Sequence, residues 1–386
     1  MTQKKDTHYN GFEQGPIRPP SEANSLLIRV TRNCPWNHCT FCPVYKNTHF
    51  SIRPVDHVIK DIDQVYKHIY QMKQMTNQDG NIPDNRLNDY LQTLSSADES
   101  SFYAAFNWYK NDMASVFIQD ANSLIIKPDD MIHILNHLKT CFPEIKRITS
   151  YARSQTISKI KQEKLNAIKE SGLDRIHIGL ESGSDEVLKR VKKGVSKEAH
   201  INAGLKVKKA GMELSEYVMP GLGGQQLSEL HAKETADAIN QINPDFIRLR
   251  TLAIPTMVPL WEEYQSGKFD KCTDIMMVRE ILMFIDSLQS VTSTIASDHT
   301  LNLFHEIRGK LPKDQPKLTG VLNEFLNLSP EQQMWVQVGQ RLGIIRYLAQ
   351  IHDVQKITQI KAICQNMGIT TNNVDQVIEH IMRQFI

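Results

Sequence analysis

The sequence lacks any long apolar run, and no stretch approaches the ~18 consecutive apolar residues that a membrane-spanning helix requires. Residues 1–11 have no apolar core of the kind that marks a secretory signal peptide. Neither sign of charge dominates, because 45 Lys and Arg stand against 43 Asp and Glu. We therefore predict a cytoplasmic protein. The charge balance gives no electrostatic reason to expect nucleic acid or a membrane as a partner.

Cysteine is scarce, with six residues in 386, yet three of them lie on one short stretch. Cys34, Cys39 and Cys42 directly follow an apolar segment that is predicted to be a strand. Thiols gathered in this way are more often ligands than packing residues. The remaining cysteines are scattered singly in helical patterns and are predicted to be inert core residues: Cys141, Cys272 and Cys364.

Three uses of the clustered thiols are open: zinc, a disulfide or an iron-sulfur cluster. A structural zinc site needs four closed ligands, and the stretch offers only His38 as a fourth. A disulfide would leave one thiol over in a chain without a secretory signal. The spacing C-x4-C-x2-C also occurs in plant-type ferredoxins, which need a fourth cysteine, but the next one is the distant Cys141. Three thiolates suit a four-iron cluster whose last iron takes a ligand that is not protein.

Strand-like and helix-like segments alternate from residue 25 to about 252, which predicts βα units and a parallel sheet. The predicted strands are 25–31, 114–119, 147–151, 175–180, 213–219 and 246–251. The predicted helices between them are 55–75, 129–141, 156–171, 197–210 and 227–241. The first crossover is overlong, and its insertion at about 76–112 is predicted to be a loop and a short helix.

Several predicted strands alternate polar and apolar residues, whereas parallel strands covered by helices on both faces are usually apolar throughout. In the fourth strand Arg175, His177 and Glu181 share one face and Ile176, Ile178 and Leu180 the other. We predict that the polar faces line the interior of the fold. An edge strand or a one-residue slip in register would invert any single strand. The candidate catalytic residues of this interior are Tyr151, His177, Glu213, Tyr217, Arg248 and Arg250.

With Phe41 directly before the last clustered cysteine, the sequence resembles the radical S-adenosylmethionine (radical SAM) superfamily. The usual family spacing is C-x3-C-x2-C, so the extra residue in the first gap predicts a bulge in the loop. The resemblance covers about residues 18–260 and implies an α/β fold, a partial (β/α)6 TIM-type barrel with a helical C-terminal extension. It also implies a [4Fe-4S] cluster on Cys34, Cys39 and Cys42, SAM as cofactor, and a one-electron donor such as flavodoxin or ferredoxin.

Further motifs carry the resemblance into the predicted SAM site. Residues 178–194, IGLESGSDEVLKRVKKG, resemble a segment of the porphyrinogen-oxidase-like, methylthiotransferase and cobalamin-dependent branches. That likeness implies that Glu181 binds the SAM ribose hydroxyls and that Lys193 meets its carboxylate. Residues 117–124 stand where relatives hold the SAM amino group, although the family's glycines are absent here. The implied cofactor-binding set is Phe41, Gln119, Asp120, Asn122, Arg153, Glu181 and Lys193.

The predicted domain organisation is an extended lead-in over 1–24, the barrel over 25–260 and a helical region over 261–386. The predicted helices of that last region are 276–289, 315–326, 331–348, 354–365 and 373–385. His299 and His305 lie between two of them and could close over the barrel mouth or simply be surface residues. The chain has too few cysteines for an auxiliary cluster domain.

These features predict an enzyme that reductively cleaves SAM at its cluster and uses the 5′-deoxyadenosyl radical to take a hydrogen atom from a substrate. A non-catalytic iron-sulfur electron carrier or scaffold on the same fold is the rival, but it would need neither a polar interior nor the Glu181 to Lys193 segment. A porphyrin-pathway enzyme is the second rival, although the Tyr-x-His-Ile-Pro-Phe-Cys lead-in of those oxidases is absent before Cys34.

The substrate prediction depends on charge in the interior. A guanidinium buried without a partner is costly, so each inward arginine must meet a carboxylate, a phosphate or another acid. The predicted inward groups are Arg29, Arg147, Arg153, His177, Arg248 and Arg250 against Glu181 and Glu213. This excess of positive charge predicts a polar, anionic small-molecule substrate.

Overall fold

The computed structural model describes residues 8–383, in which the chain divides into two compact units. Unit 1 consists of the described residues up to 37, of 47–178 and of 206–213. Unit 2 consists of 38–46, of 179–205 and of the described residues from 214 onward. The two units are described separately below.

In the described part of unit 1, a short 3₁₀ helix, Pro20–Glu22, comes first, followed by six helices and the first three parallel strands of the main sheet. Its strands are β1 (Leu26–Arg29), β2 (Thr31–Arg32), β3 (Ser51–Ile52), β4 (Ser115–Gln119) and β5 (Arg147–Ala152). Its helices are α1 (Val55–Met75), α2 (Asp84–Gln92), α3 (Glu99–Tyr109), α4 (Pro128–Cys141), α5 (Ser154–Ile157) and α6 (Gln162–Glu170). Strand β6 (Leu173–Glu181) begins in unit 1 and ends in unit 2.

The first elements of unit 2 are α7 (Asp185–Arg190), α8 (Lys197–Lys209) and β7 (Glu213–Val218), of which α8 ends and β7 begins in residues of unit 1. They are followed by α9 (Gly224–Ile242), β8 (Phe246–Leu249), α10 (Pro259–Gln265), α11 (Asp274–Asp286), β9 (Thr294–Ala296) and β10 (Arg308–Lys310). The last helices are α12 (Gln315–Leu326), α13 (Pro330–Arg341), α14 (Val354–Asn366) and α15 (Val374–Arg383).

The main sheet is mostly parallel. Within unit 1, β1 pairs with β4, β4 with β5, and β5 with β6, all in parallel. Within unit 2, β7, β8 and β9 pair in parallel and β10 runs antiparallel to β9. The order of the eight strands is β1-β4-β5-β6-β7-β8-β9-β10. Within each unit, the carboxyl ends of its neighbouring parallel strands lie at one edge, and enzymes with parallel strands of this kind carry their active sites at that edge.

Helix α1 illustrates how the helices cover the sheet. Val58, Ile62, Val65 and Ile69 recur every three or four residues and are buried. The helix starts directly after Pro54, whose extended conformation prevents an earlier start. It contacts β1, α3 and α4 with this apolar stripe. Ile62→Ala would remove fully buried methyl groups and destabilise the fold by about 2–5 kcal/mol.

The prediction of an α/β fold of the partial-barrel class with a helical extension is confirmed, and all six predicted strands are present. The expectation that the pattern beyond residue 261 is helical throughout is wrong, because β9 and β10 extend the sheet there. The predicted helix 156–171 is two helices, α5 and α6, and the predicted helix 331–348 ends at Arg341. The insertion holds two helices instead of one, α2 and α3.

The predicted C-terminal end of the last helix, Phe385, lies outside the described residues, as do residues 1–7. Among the helices of residues 8–383, none combines the length and apolarity needed to cross a bilayer.

Candidate active site

In unit 2, Glu181 ends strand β6 and forms an ion pair with Lys193. The lysine Nζ lies 3.1 Å from Oε1 of Glu181, and both side chains are only 13% exposed. Gly179 makes room for this pair, because a Cβ at that position would lie 2.2 Å from the same Oε1. The two residues that the family resemblance paired, twelve positions apart, are therefore together.

Glu181 has two features that indicate a ligand-binding role. Its backbone is in the left-handed region, with φ of 63°, which costs a non-glycine residue about 1–3 kcal/mol. Its second carboxylate oxygen, Oε2, is buried and accepts no hydrogen bond from any residue in the described part of the chain. A buried oxygen without a donor is costly, so a bound ligand with a hydroxyl group would satisfy it.

The Lys193 ammonium also lies 5.9 Å from the ring centroid of Phe41, within reach of a cation–π interaction. Phe41 is buried in an apolar cluster that includes Val187 and Val191, and Cys39 and Cys42 pack against this cluster. The backbone of Thr40 is held at both ends, because its N–H donates to the carbonyl of Val191 and its carbonyl accepts from Leu260. The segment that carries two of the clustered cysteines is thus fixed within unit 2.

A buried polar network supports the loop after β6. His231 contacts the hydroxyl of Ser182 through Nδ1 at 2.8 Å and the carbonyl of Met219 through Nε2 at 3.0 Å. Glu280 accepts a hydrogen bond from the N–H of Gly221 at 2.7 Å and another from Ser228. Burial raises the pKa of Glu280. The network joins α9 and α11 to the loops that follow β6 and β7.

In unit 1, the first clustered cysteine lies between two left-handed residues, Asn33 with φ of 68° and Asn37 with φ of 46°. The N–H of Asn37 donates to Sγ of Cys34 at 3.4 Å. Asn33 is held by its own N–H, which donates to Asp120 at 3.3 Å. Asn37 lies in the first gap of the cysteine spacing, where the extra residue predicts a bulge.

The candidates after β4 have protein partners. The side-chain amide of Gln119 accepts from the N–H of Gly15 at 2.7 Å and donates to the carbonyls of Gly15 and Ile17 at 3.2 and 3.0 Å. Asp120, which is fully buried, accepts from Nε of Arg29 at 2.6 Å. These groups therefore connect the lead-in, β1 and the start of the cysteine stretch.

Two further candidates, Asn122 after β4 and Arg153 after β5, contact each other. Oδ1 of Asn122 accepts from the backbone N–H of Arg153 at 3.0 Å, and its Nδ2 donates to Thr156 at 2.8 Å. The guanidinium of Arg153 lies 5.2 Å from the ring of Trp36, inside the cysteine stretch.

Sequence reasoning missed Glu13 and Glu22 in the lead-in. Glu13 pairs with Arg29 at 2.7 Å and with Arg32 at 2.8 Å. Burial alone would raise the pKa of Glu13, but the hydrogen bond from Arg32 and the nearby arginine charges bring it below its ordinary value. Acidic residues shortly before Arg29 and Arg32 were the available signal, although which arginine each would meet depends on the fold.

The polar interior of unit 1 is paired internally. Glu22 is fully buried and lies 3.2 Å from Nη2 of Arg147 and 3.8 Å from Nε2 of His177. The ring of Tyr151 lies 5.6 Å from that of His177. Glu213, another catalytic candidate, is exposed and pairs with Arg175 at 2.7 Å, so the prediction that it points into the interior is wrong.

In unit 2, Arg248 forms an ion pair with Asp298, Tyr217 is half-buried on β7, and Arg250 is exposed. Arg250 forms no ion pair with any residue between 8 and 383. Burial, followed by the charge of Arg250, lowers the pKa of His299 to about 4, so this half-buried imidazole is neutral. His305 is exposed.

The ion pairs and the burial of the cysteines correct two predictions. The argument that unpaired inward arginines require an anion is wrong for Arg29, Arg147 and Arg248, because each meets a protein carboxylate. The prediction that Cys141 is a core residue is also wrong, because it is half-buried, whereas Cys272 and Cys364 are buried as expected.

A family model described as the radical SAM superfamily matches residues 28–235 of the chain. A curated relative, the tRNA uridine(34) acetyltransferase of Methanocaldococcus infernus, is 30% identical over 112 residues. That match covers 28% of this chain and 20% of the relative. The chain thus matches only about a fifth of that enzyme's length.

Two solved structures are similar at the level of fold. The archaeal Methanocaldococcus infernus Elp3 with an N-terminal deletion is 17% identical, with a TM-score of 0.41 over 52% of each chain. Coproporphyrinogen III oxidase (HemN) from Escherichia coli is 14% identical, with a TM-score of 0.45 over 68% of this chain and 52% of that one.

The family match covers more than half of the chain and includes the cysteine stretch, the β6 exit and the loop after β7. The superfamily consists of enzymes that bind a [4Fe-4S] cluster and SAM. The chain belongs to the radical SAM superfamily.

Proposed function

We propose that Cys34, Cys39 and Cys42 hold the [4Fe-4S] cluster and that Glu181 and Lys193 bind SAM. The observation that carries the proposal is the buried ion pair at the β6 exit, whose Oε2 has no donor among the described residues. An unsatisfied acceptor beside a fixed ammonium suits a ligand that has both hydroxyl groups and a carboxylate, as SAM has.

The residues present fit these cofactors. All three clustered cysteines are free of disulfides and partly exposed, so their thiols are available as ligands. The N–H of Asn37 donates to Sγ of Cys34 at 3.4 Å, which holds the loop around the first of these thiols. When bound, the cluster supplies the electron that cleaves SAM into methionine and a 5′-deoxyadenosyl radical.

The protein's own contribution is to bind and orient SAM. Oε2 of Glu181 would accept from a ribose hydroxyl, while Nζ of Lys193 would donate to the methionyl carboxylate. Each is a hydrogen bond to a charged group and contributes about 1.5–3 kcal/mol. The His231 network keeps the loop after β6 in place, so that the pair is preorganised before SAM arrives.

We assign Asp120 a positioning role. Its carboxylate joins Arg29 on β1 to the N–H of Asn33, directly before the first cysteine. Gln119 fixes the lead-in over the same strand end. Contacts from Gln119 and Asn122 to the SAM amino group stay a prediction, whereas for Asp120 we propose the positioning role in place of such a contact.

For the substrate we propose a polar, anionic small molecule recognised by Arg250. The exposed guanidinium lacks a carboxylate partner among the described residues, and its neighbour His299 is neutral, so the positive charge offered to an anion there is that of Arg250. Arg250 follows the carboxyl end of β8, which is the position expected for a substrate group in this architecture.

The experiment is anaerobic reconstitution followed by an assay for 5′-deoxyadenosine, first with the parent protein and then with Glu181→Gln. We expect cleavage in the parent and a strong loss in the variant at unchanged iron content. The matched control is Glu234→Gln, which removes a carboxylate that also pairs with a lysine, Lys197, at 2.6 Å in unit 2. Equal loss in both variants would contradict the proposal.

The substrate is then sought by deuterium transfer between labelled extracts and 5′-deoxyadenosine, with a porphyrinogen tested in parallel. The extract component that exchanges deuterium should be anionic, and Arg250→Gln should raise its KM. An uncharged substrate whose KM is unchanged in that variant would contradict the proposal that Arg250 binds the substrate.

A further inference from the structure

A cluster of metal-ligating side chains lies on the helical surface of unit 1. Nε2 of His137 is 2.7 Å from Oδ1 of Asp63, and Sγ of Cys141 is 3.6 Å from the same Nε2. One ligand atom from each of the three residues lies within 4.8 Å of the others. The group draws on two helices, since Asp63 is on α1 and the other two are on α4.

The sequence places these groups together for a simple reason. His137 and Cys141 are four residues apart, so they lie one above the other on the same face of α4. α4 packs against α1, and Asp63 faces the pair from that helix. The last turn of α4 leads into the amino end of β5. The cluster is therefore at the end of this βα unit opposite to the strand ends that carry Asp120 and Arg153.

The chemistry of the donor set favours zinc. An imidazole nitrogen, a thiolate and a carboxylate are all ligands that Zn²⁺ accepts, and calcium or magnesium would not select a thiolate. Zinc–ligand bonds of about 2.0–2.3 Å place tetrahedral ligand atoms about 3.5 Å apart. The three ligand atoms lie within 4.8 Å of one another, so small rotamer changes would bring them to that spacing. Asp63 is exposed and His137 partly exposed, so an ion and a water in the fourth position have access.

A plain hydrogen bond between His137 and Asp63 could join the helices without a metal. That hydrogen bond alone does not involve the Cys141 thiol, which is half-buried and lies 3.6 Å from the same imidazole nitrogen. We propose that Asp63, His137 and Cys141 form a second metal site, which binds Zn²⁺ and clamps α1 to α4. The site is independent of the proposed cluster cysteines and of the SAM site.

The test uses the iron-loaded full chain, so that the cluster cysteines are occupied when zinc is added. After incubation with Zn²⁺ and desalting, elemental analysis should find one zinc per chain in addition to iron. Cys141→Ser and His137→Ala should each lose that zinc and keep the iron. His133→Ala is the matched control, because His133 is an exposed histidine on the same helix, one turn earlier, and should keep both metals.

Cobalt(II) gives a second readout, since a thiolate ligand produces a charge-transfer band that Cys141→Ser should abolish. Zinc should also raise the Tm of the parent, because a ligand that binds only the folded state stabilises it. Asp63→Asn, at an exposed position, should reduce this rise without unfolding the chain. No zinc beyond the iron site, or equal zinc in the parent and in the Cys141 and His137 variants, would overturn the proposal.

Discussion

The carboxyl ends of β4 and β6 are alike in one respect. Each carries an acidic residue with positive φ, Asp120 at 73° and Glu181 at 63°. Their surroundings differ. Asp120 accepts hydrogen bonds from Arg29 and Asn33 and is fully buried. Glu181 has one oxygen on Lys193 and the other without a donor from the described residues.

The difference separates two tasks. A carboxylate that is committed to protein donors fixes backbone, here at the start of the cysteine stretch. A carboxylate with a spare buried oxygen is costly in the free protein and gains a donor when a ligand arrives. The backbone strain of the positive φ is offset differently at the two residues. Protein contacts offset it at Asp120, and in our proposal bound SAM offsets it at Glu181.

The largest expected effect comes from the cysteines themselves. Replacing Cys34, Cys39 or Cys42 singly with Ala should reduce the iron content to background, because three protein thiolates are the minimum for this cluster. Iron analysis and visible absorption after anaerobic reconstitution measure the result. Cys364→Ala is the control, and cluster retention in any of the three loop variants would contradict the assignment.

Asp120→Asn tests the β4 side of the comparison. The variant leaves a nearly buried Arg29 without its closest carboxylate, which should lower the free energy of unfolding by about 3 kcal/mol. We expect this low end of the range because Glu13 still pairs with Arg29. Chemical denaturation measures the free energy of unfolding, which should fall, and the iron content should fall with it. If the free energy of unfolding falls while the reconstituted iron content stays as in the parent, Asp120 does not position the cluster.

Glu181→Gln and Lys193→Met test the β6 side. Each removes a charge-assisted hydrogen bond to SAM and should weaken binding by about 1.5–3 kcal/mol, roughly tenfold or more, at unchanged iron. Equilibrium dialysis with the iron-loaded protein measures the affinity. Parent-like affinity in both variants would show that the proposed SAM contacts are wrong.

The smallest effect concerns Glu216 on β7, which is fully buried and has no hydrogen-bond partner for either carboxylate oxygen among residues 8–383. Burial, and then the charge of Glu181, raise the pKa of Glu216 well above its ordinary value of 4.5. Above pH 4.5 the folded chain therefore holds a proton that the unfolded chain has lost. Stability falls as the pH rises through this window, until the raised pKa is passed.

Glu216→Gln stays neutral at every pH and should flatten this dependence, so its stability relative to the parent should rise toward the upper end of the window. Thermal unfolding of parent and variant across the pH range measures it. Glu198→Gln, at an exposed position, should leave the slope unchanged. Parallel curves for parent and Glu216→Gln would show that Glu216 is ionised in the folded protein.

Much of the fold was predictable from local pattern. α1 has the predicted bounds because its apolar residues repeat regularly and Pro54 marks its start. β9 and β10 were missed, since three-residue strands carry no measurable alternation and exist only through pairing with β8 and with each other.

The site was predictable where its residues are local. Glu181 and Lys193 are linked by one short helix, so their spacing alone brings them together. The partners of Gln119 and Asp120 come from the lead-in and β1, about a hundred residues earlier, and such pairings follow only from the assembled sheet. The same limit hid the carboxylates of Glu22 and Asp298, which meet Arg147 and Arg248.

The most direct measurement compares iron content and SAM affinity side by side in Glu181→Gln and Asp120→Asn. The account predicts a double dissociation: Glu181→Gln keeps parent-like iron and loses SAM affinity, whereas Asp120→Asn loses iron, and the fraction that retains iron binds SAM normally. The opposite pattern, with iron lost in Glu181→Gln and SAM affinity lost in iron-loaded Asp120→Asn, would contradict the division of tasks between the two strand ends.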